Sequence, residues 1–212
     1  MLKKFLIPAI LILFIASCEK SSKKKINTSL PKPTLSLSSG DYVMDNDNSS
    51  IKWTGRELST KSHYGSLQMK NGSLTVNTDG TVNGIIKIDM TTIDCEDLQG
   101  RSKASLERHL RSDDFFSVES HPIATLTFKS EGGIGAGNKL AFNGDLEIKG
   151  ISHPISFESE LKSVDPKVSA LVDMTFDRSK YNVRFRSGTF FQNLGDKLIY
   201  DDIEISVDIR TL

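Results

Sequence analysis

Ser112 stands three residues after His109 and directly before Asp113 and Asp114. These are the residue types of a nucleophile, a general base and a carboxylate that orients it. A hydrolytic triad, however, is recognised by its geometry and not by closeness in sequence. No G-x-S-x-G elbow, Gly-rich phosphate loop or dinucleotide fingerprint accompanies the three. The four histidines, His63, His109, His121 and His153, form no i, i+4 pair of the helical metal-site kind, and no cysteine joins them. Asp and Glu are plentiful but lack ligand spacing. The expectation is therefore no catalytic residue, no metal, no cofactor and no enzyme activity. Cys95 reads as a small buried apolar residue. Two further groups remain open. Arg178, Lys180, Arg184 and Arg186 lie in one long connection, where they face either water or the phosphate or quinone head of a ligand. Phe115-Phe116 follows a charged segment and suits a plug, an anchor or a gate.

The N-terminus carries chemistry of another kind. Lys3 and Lys4 precede the apolar run Phe5–Phe14, and Ile15-Ala16-Ser17 lead into Cys18. Charged start, apolar middle and small residues before a cut are the layout of a secretory signal peptide. The run is shorter than the ~20 residues of a spanning helix. Ile15-Ala16-Ser17-Cys18 resembles the lipobox of bacterial lipoproteins, which implies removal of residues 1–17 and acylation of the Cys18 thiol. Residues 18–40, rich in Ser and Lys with Pro31 and Pro33, have too little apolar surface to offset ordering and read as a disordered tether. Glu19 after the cysteine supplies no strong inner-membrane retention signal. The expected location is the outer membrane, facing the periplasm. The whole chain balances 27 Lys and Arg against 27 Asp and Glu, which leaves no electrostatic reason to bind nucleic acid. With Cys18 lipidated, Cys95 has no disulfide partner, so the domain relies on its core alone.

The elements that must position these groups are strands. Apolar residues keep period two: Ile51 and Trp53; Val82, Ile86, Ile88 and Met90; Leu126 and Phe128; Phe142, Leu146 and Ile148; Ile155 and Phe157; Val172, Met174 and Phe176; Ile203 to Ile209. Turn signals such as Asn71-Gly72, Asp79-Gly80 and Lys149-Gly150 separate them. Eight antiparallel strands are predicted, near 49–57, 65–76, 81–91, 123–131, 138–149, 153–163, 168–177 and 200–211, with one short helical insertion near 100–110. That number and spacing implies an all-β sandwich or up-and-down barrel in one domain, 41–212. An eight-stranded barrel is filled by its own side chains or holds one small ligand, and alternation does not decide between them.

Three stretches carry a family resemblance: Ile51-Lys52-Trp53-Thr54-Gly55 with His63-Tyr64-Gly65; His109-Leu110-Arg111-Ser112-Asp113-Asp114-Phe115-Phe116 through His121-Pro122 to Phe128; and Asn143-Gly144-Asp145-Leu146-Glu147-Ile148-Lys149-Gly150. Together they resemble the YceI-like family, and Phe176-Asp177-Arg178-Ser179-Lys180-Tyr181 is similar to its counterpart there. The resemblance implies a lipocalin-like eight-stranded barrel of the cell envelope, some members of which hold a polyisoprenoid or another long apolar molecule. On that analogy the lumen is lined by Trp53, Leu126, Phe128, Phe142, Leu146, Ile148, Phe157, Val172, Met174 and Phe176. Phe115 and Phe116 then plug or gate it, and Arg178, Arg184 and Arg186 are head-group candidates. Asn182 stands where many relatives carry Gly, and Asn also adopts positive φ. The alternative is a filled barrel, structural or stress-protective, that acts through its outer surface. A homodimer is compatible with such barrels, and no sequence feature argues for one.

Overall fold

The computed structural model describes residues 37–134, 139–164 and 167–212. Cys18, the signal segment and most of the tether lie outside the described residues.

The strands are β1 (Gly40–Val43), β2 (Ser50–Arg56), β3 (Ser62–Val76), β4 (Val82–Cys95), β5 (Ile123–Ser130), β6 (Lys139–Ile148), β7 (Ile151–Val164), β8 (Lys167–Asp177) and β9 (Asp202–Arg210), with the helix α1 (Gly100–Arg111) between β4 and β5. All pairings are antiparallel, and β3 pairs with β4 to close the sheet on itself. Nine strands make eight staves. β2 pairs with residues 62–67 of β3 and β1 with residues 73–76, so the two short strands share one side of the long one. The eight predicted strands correspond to β2 through β9. The predicted insertion is α1, whose Leu110 is buried.

The closed ring has two unlike ends. One carries the 76–82 turn, the entry of β1 at Gly40 opposite Val76, and the start of β8. The other carries the 56–62 turn, α1, the Lys149-Gly150 turn and the connection 178–201. Local backbone chemistry fits these turns: Lys149 and Gly150 both take positive φ, and Asn182 sits in the left-handed region at φ 56° as expected, its N–H returning to Arg178 and Ser179.

The lower half of the barrel is solid. Phe142 and Phe157 are direct cross-strand partners and stack with ring centroids 5.3 Å apart. Phe128 meets them edge-on at 5.6 and 6.1 Å. Phe128 lies in register between Gly84 on β4 and Gly144 on β6. A Cβ on Gly84 would come within 2.5 Å of the Phe128 ring, so that glycine is what admits the ring. Offset and edge-to-face aromatic pairs of this kind add ~0.5–1.5 kcal/mol beyond burial.

Candidate functional site

Above the aromatic layer the inward side chains do not meet. They enclose a cavity of about 320 Å³, open at the end that bears α1. The volume falls at the lower edge of the ~300–1,000 Å³ typical of small-molecule sites. Of the ten residues expected to line it, Trp53, Leu126, Leu146, Ile148, Met174 and Phe176 do so. Phe128, Phe142, Phe157 and Val172 do not. The three phenylalanines are spent on one another as the floor, and Val172 lies toward that end, paired with Val207. The wall is completed by residues that alternate in the sequence but were not among the ten, chiefly Ile86, Ile88, Met90, Ile203, Ile205 and Val207. Their alternation was the signal that could have found them, since they share the inward phase of β4 and β9.

The mouth is aromatic with a few ionisable groups. Phe115 and Phe116 both line it, with rings 6.1 Å apart. Phe115 packs on Phe185 at 5.6 Å, and His109 stands edge-on to both rings. Phe185 and Ile199 descend from the 178–201 connection, which is folded across the barrel end. Its two arms are tied together by Arg178. Arg178 is 0 % exposed and donates from Nε to the Tyr200 carbonyl, from Nη1 to those of Val183 and Phe185, and from Nη2 to that of Ile199, at 3.0–3.2 Å. Asp201 Oδ1 lies 3.2 Å from Nη2 as an ion-pair partner but without hydrogen-bond alignment. Burial pulls the Arg178 guanidinium below its ordinary pKa, against the opposing field of Asp201 and Asp177.

The three head-group candidates therefore separate. Arg178 borders the cavity, but its donors are committed to carbonyls. Arg184 is exposed outside the cavity with its guanidinium 4.5 Å from the Phe190 ring centre. Arg186 lines the mouth, 5.0 Å from the centre of the Phe185 ring, and is the one that fits a ligand head. Lys180 is exposed. Arg56, Glu57, His63 and His109 share the rim with Arg186. None of the four was singled out for that role. Their signal was weak, because Arg56 and His63 stand at strand ends and Glu57 in the turn between them, with His109 in α1, and charge at such places normally faces water.

Ser112 does not form a triad. Its hydroxyl donates to the His109 carbonyl at 2.7 Å and closes α1, while the His109 ring pairs with Asp114 at 3.5 Å. Cys95 is fully buried as expected, and burial, then the nearby Asp97 carboxylate, pushes its thiol up to about 11. A thiol so placed is protonated at neutral pH and a poor nucleophile. An alkylating reagent is expected to label Cys95 only after denaturation, which peptide mass spectrometry with and without denaturant will check.

One grouping escaped the sequence reading, which expected no ligand set. In the β3–β4 ladder Gly65 faces Cys95, and continuing that register places His63 opposite Asp97. His63 Nδ1 lies 2.8 Å from Asp97 Oδ2, and the Cys95 thiol donates to Asp97 Oδ1 at 3.2 Å.

Comparison with known proteins places this geometry. Residues 42–211 match the family model of the YceI-like domain. A UPF0312 protein of Photorhabdus laumondii is 28% identical over 152 residues, 68% of this chain and 72% of that protein. Protein YceI of Escherichia coli O157:H7 is 25% identical over 123 residues, 57% of this chain and 61% of that protein. In structure, Burkholderia cenocepacia BcnA superposes with a TM-score of 0.59 at 17% identity, covering 80% of this chain and 99% of that one. A polyisoprenoid binding domain from Saccharophagus degradans superposes with a TM-score of 0.56 at 11% identity, covering 80% and 97%.

Proposed function

Given that the chain belongs to the YceI-like domain family, we propose that it is a non-catalytic binding protein that holds a long apolar molecule, a polyisoprenoid, quinone or other lipid, in the upper half of its barrel. The observation that carries this reading is the cavity walled chiefly by aliphatic and aromatic side chains and open at the α1 end. Each methylene moved from water into such a cavity gains ~0.8 kcal/mol, so an apolar tube binds a chain without further chemistry. The blocked lower half limits insertion to part of a long chain, with the remainder or the head at the rim beside Arg186. A neighbouring fold whose name records polyisoprenoid binding supports the ligand class.

We further propose that Cys18 carries a lipid anchor and that residues 18–40 tether the barrel in the cell envelope, at the outer membrane facing the periplasm.

The test is mass spectrometry of an organic extract of the purified protein. A lipid co-purifying in near-stoichiometric amount is expected. Protein that carries nothing and takes up no added isoprenoid overturns the reading. The role of the rim aromatics is tested separately. Phe116 is half-buried, so Phe116→Ala is expected to cost less than the ~3–5 kcal/mol of a core Phe deletion, while ligand release accelerates about tenfold, because such changes act mainly on the off-rate. Stopped-flow release of a fluorescent isoprenoid, read beside the melting temperature, checks this. Unchanged release with a large drop in melting temperature excludes gating.

A further inference from the structure

We propose that His63, Cys95 and Asp97 form a site for a zinc-class divalent cation in the wall of the cavity mouth. An imidazole nitrogen, a sulfur and a carboxylate oxygen from these three residues all lie within 4.8 Å of one another. Cys95 ends the β3–β4 ladder opposite Gly65, and the bonds of Glu96 N–H to the Tyr64 carbonyl and of Tyr64 N–H to Asp97 Oδ1 hold Asp97 beside His63 just beyond it. Cys95 is 0 % exposed, and the side chains of Asp97 and His63 are 14% and 31% exposed. The cluster is thus sheltered on the thiol side and reachable from the imidazole side, where His63 lines the cavity.

The donor set selects the metal. Thiolate and imidazole together suit zinc and its softer neighbours, and calcium or magnesium would require an oxygen shell. Three protein donors leave a fourth tetrahedral position for water or a ligand atom, the pattern of open rather than purely structural zinc sites. Donors at ~2.0–2.3 Å from a tetrahedral zinc lie roughly 3.3–3.8 Å apart. His63 Nδ1 and Cys95 Sγ already lie 2.8 and 3.2 Å from the two oxygens of Asp97, and one donor atom from each residue lies within 4.8 Å of the others, so shifts of about an ångström bring the three to that spacing. The supporting contacts are already made. Asp97 Oδ1 accepts the Tyr64 N–H at 3.0 Å, and the Cys95 N–H donates to Glu107 Oε1 at 3.0 Å. Outer partners of this kind orient metal ligands. On binding, the Cys95 thiol proton passes to solvent, the sulfur becomes the anionic ligand, and the imidazole proton moves from Nδ1 to Nε2. None of these contacts requires a ligand in the lumen.

Cobalt(II) titration of the full-length, chelator-treated chain tests the proposal. The expected result is about one equivalent bound, with a thiolate-to-cobalt charge-transfer band that Zn²⁺ displaces. Cys95→Ser is expected to abolish the band. Asp97→Asn and His63→Gln are expected to weaken cobalt affinity at least tenfold, while the metal-free His63→Gln protein melts with the metal-free wild type. Absence of the band, its persistence in Cys95→Ser (which would assign it to Cys18), or equal affinity in His63→Gln overturns the proposal. His63→Gln keeps the test decisive where Cys95→Ser fails to fold.

Discussion

Arg178→Met is expected to lower the free energy of unfolding by about 3–5 kcal/mol, near the upper end for a single substitution. The guanidinium reaches four backbone carbonyls, of Val183, Phe185, Ile199 and Tyr200, from a position with no exposed surface. Methionine fills much of the same volume but donates nothing, so those oxygens and Asp201 lose their partner in a dry setting. The consequence is local as well as global. The four carbonyls belong to both arms of the 178–201 connection, so this side chain ties the two arms together, beside the backbone bonds of Leu58 to Leu198 and Tyr200 to Arg56 that hold the connection to the barrel end. Hydrogen exchange across 183–200 is expected to accelerate, and Phe185 to lose its fixed place at the rim. Arg178→Lys is expected to recover little, because an ammonium is a point charge and lacks the planar fork that serves several carbonyls at once. Urea denaturation of the three proteins measures the effect. A loss under about 1 kcal/mol would be no larger than an ordinary net hydrogen bond and would show the arginine to be dispensable.

The second large effect concerns binding. Ala124 lies on β5 in the cavity wall, the smallest side chain there apart from glycine. Ala124→Phe projects a ring into existing space rather than into packed neighbours. Overpacking of a filled core costs ~1–3 kcal/mol, and here the expected cost lies at or below the low end. Displacing about four ligand methylenes forfeits ~3 kcal/mol, or about two orders of magnitude in affinity. Phe142→Leu in the floor is the contrast. It removes a stacked ring and should lower the melting temperature while leaving affinity nearly unchanged. Fluorescence titration with an isoprenoid probe distinguishes them. Equal affinity for wild type and Ala124→Phe would mean that the ligand does not occupy the lumen.

The sequence reached some of this and not the rest, for identifiable reasons. Period-two alternation follows from the pleat itself, so β2 through β9 were legible to within a few residues. β1 was not. Gly40-Asp41-Tyr42-Val43 has no alternation to display and becomes a strand only because β3 extends past β2 and offers it an edge. The division of the lumen into floor and cavity was also hidden. Phe128 and Leu126 share one phase, and what separates their fates is the pair of glycines that flank Phe128 in three dimensions. Arg178 sat among other cations in a segment that reads as solvated, yet its partners lie up to 22 residues away. Two irregularities in the β3–β4 ladder shift the register before it reaches Cys95, so counting back from the hairpin does not pair His63 with Asp97.

A ring of staves has no first or last member. Among the described residues β1 and β2 together span the gap between β3 and β9, with a bridge from Met44 to Thr211, while β7 and β8 are joined only by the ladder of Ser159–Val164 with Lys167–Val172. Residues 151–158 of β7 and 173–177 of β8 have no ladder with each other, and an unladdered strand edge is the template on which swapped strands and fibrils grow. The seam between β7 and β8 is therefore where the cylinder is expected to admit another strand first.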